Sequence, residues 1–122
     1  MRDAPPNLDS TLLALADPTR RAILQRLTRG ETRVTELAEP FAISLNAVSK
    51  HIRTLERARL VRRRRAGREH FLSLDPAPLD EAAAWIDATR AFWNARLDAL
   101  DAMLEAEDQA ASRTRKRKGP AR

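Results

Sequence analysis

The stretch Ser44–Arg57, SLNAVSKHIRTLER, constrains this chain more than any other, because it reads as a helix with two unlike faces. At about 100° per residue, Leu45, Val48, Ile52 and Leu55 fall on one narrow stripe, and Asn46, Lys50, Arg53 and Arg57 gather on the opposite side. Ser44 is placed to cap the helix, since its hydroxyl can accept from an unpaired backbone N–H. The outer face offers long cations, which reach phosphates or guanine edges, and an amide, which pairs with adenine. A lone amphipathic helix is more simply a solvated surface helix, so the flanking segments decide its meaning.

Upstream, Leu8–Ala16 reads as a short helix with a broad apolar face. Asp17-Pro18 is a restart signal, with Asp17 as cap and Pro18 at the first helical position, where no N–H is needed. The second helix runs to about Thr28 with Ile23, Leu24 and Leu27 inward, and Gly30 closes it. Thr32–Phe41 holds a third, short helix with Val34, Leu37, Ala38 and Phe41 as its apolar positions; Pro40 stops it. Two short helices joined by the Ala42-Ile43 turn, the second with a polar outer face, form a helix-turn-helix unit.

Downstream, Leu60–Arg65 and Arg68–Leu74 read as strands around a turn at Ala66-Gly67. Arg62, Arg63, Arg64, Arg65 and Arg68 crowd this hairpin, a composition suited to lying against a polyanion or to a charge-protected sheet edge in solvent. Asp75-Pro76-Ala77-Pro78 connects to one long helical pattern, Leu79–Glu107. Its stripe of Leu79, Ala83, Ile86, Trp93, Leu97, Leu100 and Leu104 recurs at spacings of three, four and seven and needs a partner surface. A domain this small cannot cover both faces of such a helix, which points to a second copy of the chain.

Charge divides the chain in three. Residues 1–74 carry 15 Lys+Arg and 8 Asp+Glu, residues 75–112 carry 2 and 9, and residues 113–122 carry 6 and 0. A basic front half suits a nucleic-acid partner. The chain has no cysteine, which removes disulfides and thiolate chemistry together and makes a cytoplasmic location the simplest expectation. No run of about 18 apolar residues suggests a membrane span, and MRDAPPNLD lacks the apolar core of a signal peptide.

Catalytic readings are weak. Asp98, Asp101, Glu105 and Asp108 line one helix edge, but no nucleophile or histidine accompanies them, so a solvated face is the expectation. Three glycines at positions 30, 67 and 119 build no phosphate-binding loop. No enzyme activity and no cofactor are expected.

These residues resemble the ArsR family of bacterial winged helix-turn-helix repressors, through Leu15–Leu27 (LADPTRRAILQRL), Thr35–Phe41 (TELAEPF), Ser44–Leu60 and Gly67–Pro76 (GREHFLSLDP). The resemblance implies a mainly α fold with a small β-hairpin wing, and a homodimer formed by the first and last helices. It also implies double-stranded DNA binding by the Ser44–Arg57 helix and the wing, with repression of a promoter. The DNA-facing set is then Ser44, Asn46, Ala47, Ser49, Lys50, His51, Arg53, Arg64, Arg65 and Arg68. The dimer seam comprises Leu8, Leu12, Ile86, Trp93, Leu97, Leu100 and Leu104.

Three departures matter. Asn46 stands where the family often has proline. Arg59 stands where it usually has glycine, and would be strained by about 1 kcal/mol if its φ is positive. The family's metal sites use Cys motifs or Asp/His sets on the last helix. This chain has no Cys, and its histidines, His51 and His70, both precede that helix, so a metal inducer is not expected. His51 is divided between a contact within the fold and a phosphate contact, while a structural or solvated role is expected of His70.

The expected organisation is a lead over residues 1–7, a DNA-binding and dimerisation domain over 8–108, and a disordered basic tail over 109–122. The rival reading is a winged-helix protein-interaction module with non-specific nucleic-acid binding.

Overall fold

A helix whose apolar side chains recur on one stripe must bury that stripe, and in the computed structural model Val48, Ile52 and Leu55 are all fully buried. The structure describes residues 4–118, with side chains to residue 115. It divides after Trp85 into two compact units. The first contains α1 (Leu8–Leu15), α2 (Pro18–Leu27), β1 (Thr32–Arg33), α3 (Val34–Ala38), α4 (Leu45–Arg57), β2 (Val61–Ala66) and β3 (Glu69–Leu74). The last helix, α5 (Ala77–Lys118), begins in this unit and makes up the described part of the second. Among the described residues no helix is long and apolar enough to cross a membrane.

Local chemistry sets each boundary. Asp17 accepts the Arg20 backbone N–H at 3.0 Å, and Pro18 opens α2. Ser44 Oγ accepts the Ala47 N–H at 3.1 Å and starts α4. At the other end of α4, Arg59 takes the left-handed conformation at φ 60. Its N–H donates to Glu56 O at 2.9 Å, and Leu60 N–H donates to Leu55 O at 3.0 Å. This is the paired closure that a glycine normally permits, with Leu55 and Leu60 buried together. The family's glycine position is thus a left-handed position here, filled by arginine.

The core joins Ile23, Leu24 and Leu27 of α2, Leu37 of α3, the α4 stripe, Leu60, Val61 and Leu72, with Val34, Ala38 and Phe41 packed against it. The helix-turn-helix rests on an antiparallel sheet of order β1-β3-β2. Arg64 pairs with Phe71 and Arg65 with His70 along the β2–β3 hairpin.

Several boundaries and burials differ from expectation. The sheet has a third strand, β1, pairing Thr32 with Leu72 and Arg33 with Phe71; two residues are too few for an alternating pattern to show. The hairpin turn is Gly67-Arg68, one residue later than expected, with Gly67 at φ 64 supplying the positive angle of the tight turn. Leu45 is 53% exposed although it lies on the apolar stripe, because the first turn of α4 extends past the residues that cover Val48. Helix α5 runs on past Glu107 to Lys118. Nothing in AEDQAASRTRKRK breaks a helix, and Gly119-Pro120 comes only afterwards, so the expected disorder does not describe residues 109–118; residues 119–122, like 1–3, lie outside the described residues.

Arg59 carries strain that glycine would not. Arg59→Gly should stabilise the fold by up to about 1 kcal/mol, reduced in part by glycine's greater freedom in the unfolded chain. Urea unfolding measures it, and a loss of stability would show that the Arg59 side chain contributes more than its backbone costs.

Candidate nucleic-acid interface

Burial of the α4 stripe fixes the rotation of the helix about its axis, and that rotation turns Asn46, Lys50, Arg53 and Arg57 into solvent, all exposed. Ala47 and Ser49 are half-buried at the edge of this face, and the Ser44 hydroxyl is engaged as the helix cap. Lys50 and Arg53, three residues apart, are therefore neighbours on an open face. This is an arrangement that reaches base edges or phosphates when the helix enters a groove.

The five wing arginines are not equivalent. β2 alternates its side chains across the sheet, and three of the five meet an acid. Arg62 reaches Asp75 at 3.0 Å, Arg63 reaches Glu56 on α4 at 2.7 Å, and Arg64 reaches Glu31 at 2.7 Å. Arg64 also lies over its cross-strand partner Phe71, 4.7 Å from the ring centroid. The hydrogen bond from Arg64 holds the Glu31 carboxyl below its usual range. Asp75 is likewise lowered, first by the Ala77 backbone N–H and then by Arg62. Arg65 stands beside the turn and Arg68 within it; among the described residues the Arg65 guanidinium reaches only Gly67 O, at 3.0 Å. Of the expected DNA-facing arginines, Arg65 and Arg68 are the exposed tip, whereas Arg64 already has an anion.

His51 also has partners within the fold. Arg20 is the hub: its guanidinium donates to Ala14 O at 2.7 Å and to Leu13 O at 2.9 Å, the latter shared with the Ala16 N–H, at the end of α1. Its third arm lies 3.3 Å from His51 Nδ1. Arginine only donates, so a hydrogen bond here requires His51 Nδ1 as the acceptor. Asp17 stands 3.9 Å from the same ring nitrogen. Its carboxyl is held below the usual range chiefly by the Arg20 backbone N–H, with a smaller contribution from His51. Of the two readings of His51, a contact within the fold and a phosphate contact, the structure gives the ring partners within the fold, tying α4 to α2 and the end of α1. His70 has a buried Nδ1 without a partner among the described residues. It borders an open groove of about 280 Å³ whose lining includes Leu45, Ser49 and Arg68.

Sequence reasoning missed Arg20 and the acids Glu31, Glu56 and Asp75. The signal was present in the doubled arginine after Asp17-Pro18 and in lone acids flanking a basic hairpin, but their pairing depends on register.

The seam residues fall into two groups. Leu8 is only 6% exposed, so it is spent within the chain and corrects the expectation of a free seam position; Leu12 remains 42% exposed. In the second unit, Trp93, Leu97, Leu100 and Leu104 stand 50–57% exposed on one side of α5, with Ile86 at 42%. Phe92 and Trp93 meet edge to face at 6.4 Å. Asp98, Asp101, Glu105 and Asp108 are exposed, as a solvated edge should be.

With this geometry in place, comparison with known proteins is specific. Residues 15–64 match a family described as a helix-turn-helix domain. The HTH-type transcriptional regulator Rv2034 of Mycobacterium tuberculosis is 42% identical over 99 residues, covering 81% of this chain and 90% of that protein. The transcriptional repressor SdpR of Bacillus subtilis is 32% identical over 79 residues, covering 65% and 88%. Among solved structures, an ArsR-like transcriptional regulator from Rhodococcus sp. RHA1 superposes with a TM-score of 0.72 at 32% identity, covering 80% of this chain and 92% of that one.

Two outcomes follow from the paired and unpaired cations. Arg68→Ala should weaken binding to all DNA alike and lower the salt slope by about one, whereas Arg64→Ala should change the slope less, because Glu31 already opposes the Arg64 charge. Equal slopes for the two variants would show that Glu31 does not screen Arg64. Asp17→Ala should cost about 1 kcal/mol of stability through loss of the cap. Because the Asp17 carboxyl is lowered in the folded state, its contribution is present at neutral pH and is lost as pH falls through the acid range. Thermal melts of both proteins from pH 7 to pH 3 should therefore converge.

Proposed function

The chain belongs to the ArsR family of winged helix-turn-helix transcriptional regulators, and from that premise we propose that it acts as a homodimeric repressor on a palindromic operator. It is a DNA-binding regulator and not an enzyme. The observation that carries the reading is α4: a stripe locked in the core, with Lys50 and Arg53 free on the opposite face. α4 enters the major groove, where Asn46, Lys50 and Arg53 read base edges. The wing tip, through Arg65 and Arg68, holds the adjacent backbone or minor groove.

Dimerisation is supported by α5, whose row of half-exposed large side chains is costly to leave in water. Two copies joined through α5 and the exposed side of α1 present two α4 helices about 34–36 Å apart, the spacing of successive major grooves. Release from the operator requires no metal: the chain has no cysteine, its two histidines stand outside α5, and His51 is already engaged by Arg20.

Selection of bound sequences from a random DNA pool, followed by competition with excess non-specific DNA, tests the function directly. Specific complexes should survive because true sites win by ~10³ or more. Lys50→Ala or Arg53→Ala should keep the fold and lose roughly 1–3 kcal/mol of operator affinity; unchanged affinity in both would remove α4 from the reading role. Leu97→Glu would bury an unpaired charge twice per dimer and should give monomers that no longer hold the operator, a result read by sedimentation and gel shift. A stoichiometric zinc titration should leave the complex intact.

A further inference from the structure

From Arg90 to Ala111 every residue of α5 is exposed, so this length of helix carries a surface without a partner among the described residues. Its apolar positions follow a heptad: Ile86, Trp93 and Leu100 are one core position, and Leu97, Leu104 and Ala111 the other. The same count places two charged residues in the stripe, Arg90 and Glu107, both within about 100° of arc with the rest. Each lies one step beyond the central apolar four.

We infer that α5 pairs with α5 of a second copy in antiparallel fashion, in a register centred between Leu97 and Leu100, with Arg90 of each copy facing Glu107 of the other inside the seam. The inference rests on the homodimer proposed above and specifies its geometry. In an antiparallel coiled coil the two core positions face each other layer by layer. Centring between Leu97 and Leu100 stacks Leu97 on Leu100, Trp93 on Leu104, Arg90 on Glu107 and Ile86 on Ala111, each layer occurring twice by symmetry. The large Trp93 then faces Leu104, and Ile86 faces the small Ala111.

The competing registers fail on charge. A parallel pair would set Arg90 against Arg90 and Glu107 against Glu107. An antiparallel pair shifted one heptad one way sets Arg90 against Leu100. The shift the other way sets Glu107 against Leu97. One arrangement alone among these four satisfies both stripe charges, and a polar pair at a core position selects register at some cost in affinity. Among the described residues Arg90 has only a loose contact with Asp87, 3.9 Å away with both side chains 74% exposed, so it is available to a partner. The paired segment, Ile86–Ala111, spans about 39 Å.

The test is a charge swap in the full chain, read as dimer dissociation by sedimentation. Arg90→Glu and Glu107→Arg should each weaken the dimer about tenfold or more, since each turns two attractive layers into repulsive ones. The double variant should recover most of the loss. Two weakened singles without recovery in the double would overturn the register. The absence of native cysteine allows a second measurement. Arg90→Cys mixed with Glu107→Cys should cross-link through a short bismaleimide, and Arg90→Cys alone should not. A wild type that dimerises while this mixture fails to cross-link would overturn the register and leave the dimer standing. A monomeric wild type would overturn the dimer itself.

Discussion

Burial of Val48, Ile52 and Leu55 is the constraint on which the rest depends. A recognition helix must be stable and must also present a chosen face, and one stripe meets both needs. Placing three branched or long side chains against α2 and the sheet removes apolar area worth roughly 1.5–3 kcal/mol each. The same contacts leave the helix no freedom to roll. Ser44 sets its start and the closure around Arg59 sets its end, so the positions of Lys50 and Arg53 are determined along the axis as well as around it.

A second layer of organisation is electrostatic. Arg20 closes the end of α1 and meets α4 at His51, so that three helices share one guanidinium. Across the hairpin, Glu31, Glu56 and Asp75 each hold one arginine. These exposed pairs add little stability individually. The Arg63–Glu56 pair ties the hairpin to α4, and all three pairs offset like charges that would otherwise repel.

The helix-turn-helix and its core were legible because their signals are local: a cap, a proline, a glycine and a stripe of period 3.6. The left-handed conformation of Arg59 was legible only through the family resemblance, which marked the position as one where glycine is usual. What the sequence did not disclose is non-local. β1 is two residues long and exists only because β3 offers it an edge. Leu8 and Leu45 exchanged their expected environments, because whether an apolar residue at a helix end is covered depends on what the next element reaches. Arg64 belongs to the expected DNA-facing set and His51 is divided between a fold contact and a phosphate contact; the partners each has within the fold, Glu31 and Arg20, lie more than thirty residues away in sequence. Residues 109–118 were judged by composition, yet nothing in them opposes the helix they extend.

The paired wing arginines bear on how a regulator finds its site. Binding to random DNA is almost wholly a matter of cations displacing condensed counterions from phosphates. A hairpin with five unopposed arginines would linger on every stretch of the genome it touched. With Arg62, Arg63 and Arg64 already attended by acids, the hairpin would offer phosphate little more than Arg65 and Arg68. On the proposed function, dwell time on irrelevant sequence would be shortened and the search for a rare operator quickened, with the proposed base-reading face of α4 untouched.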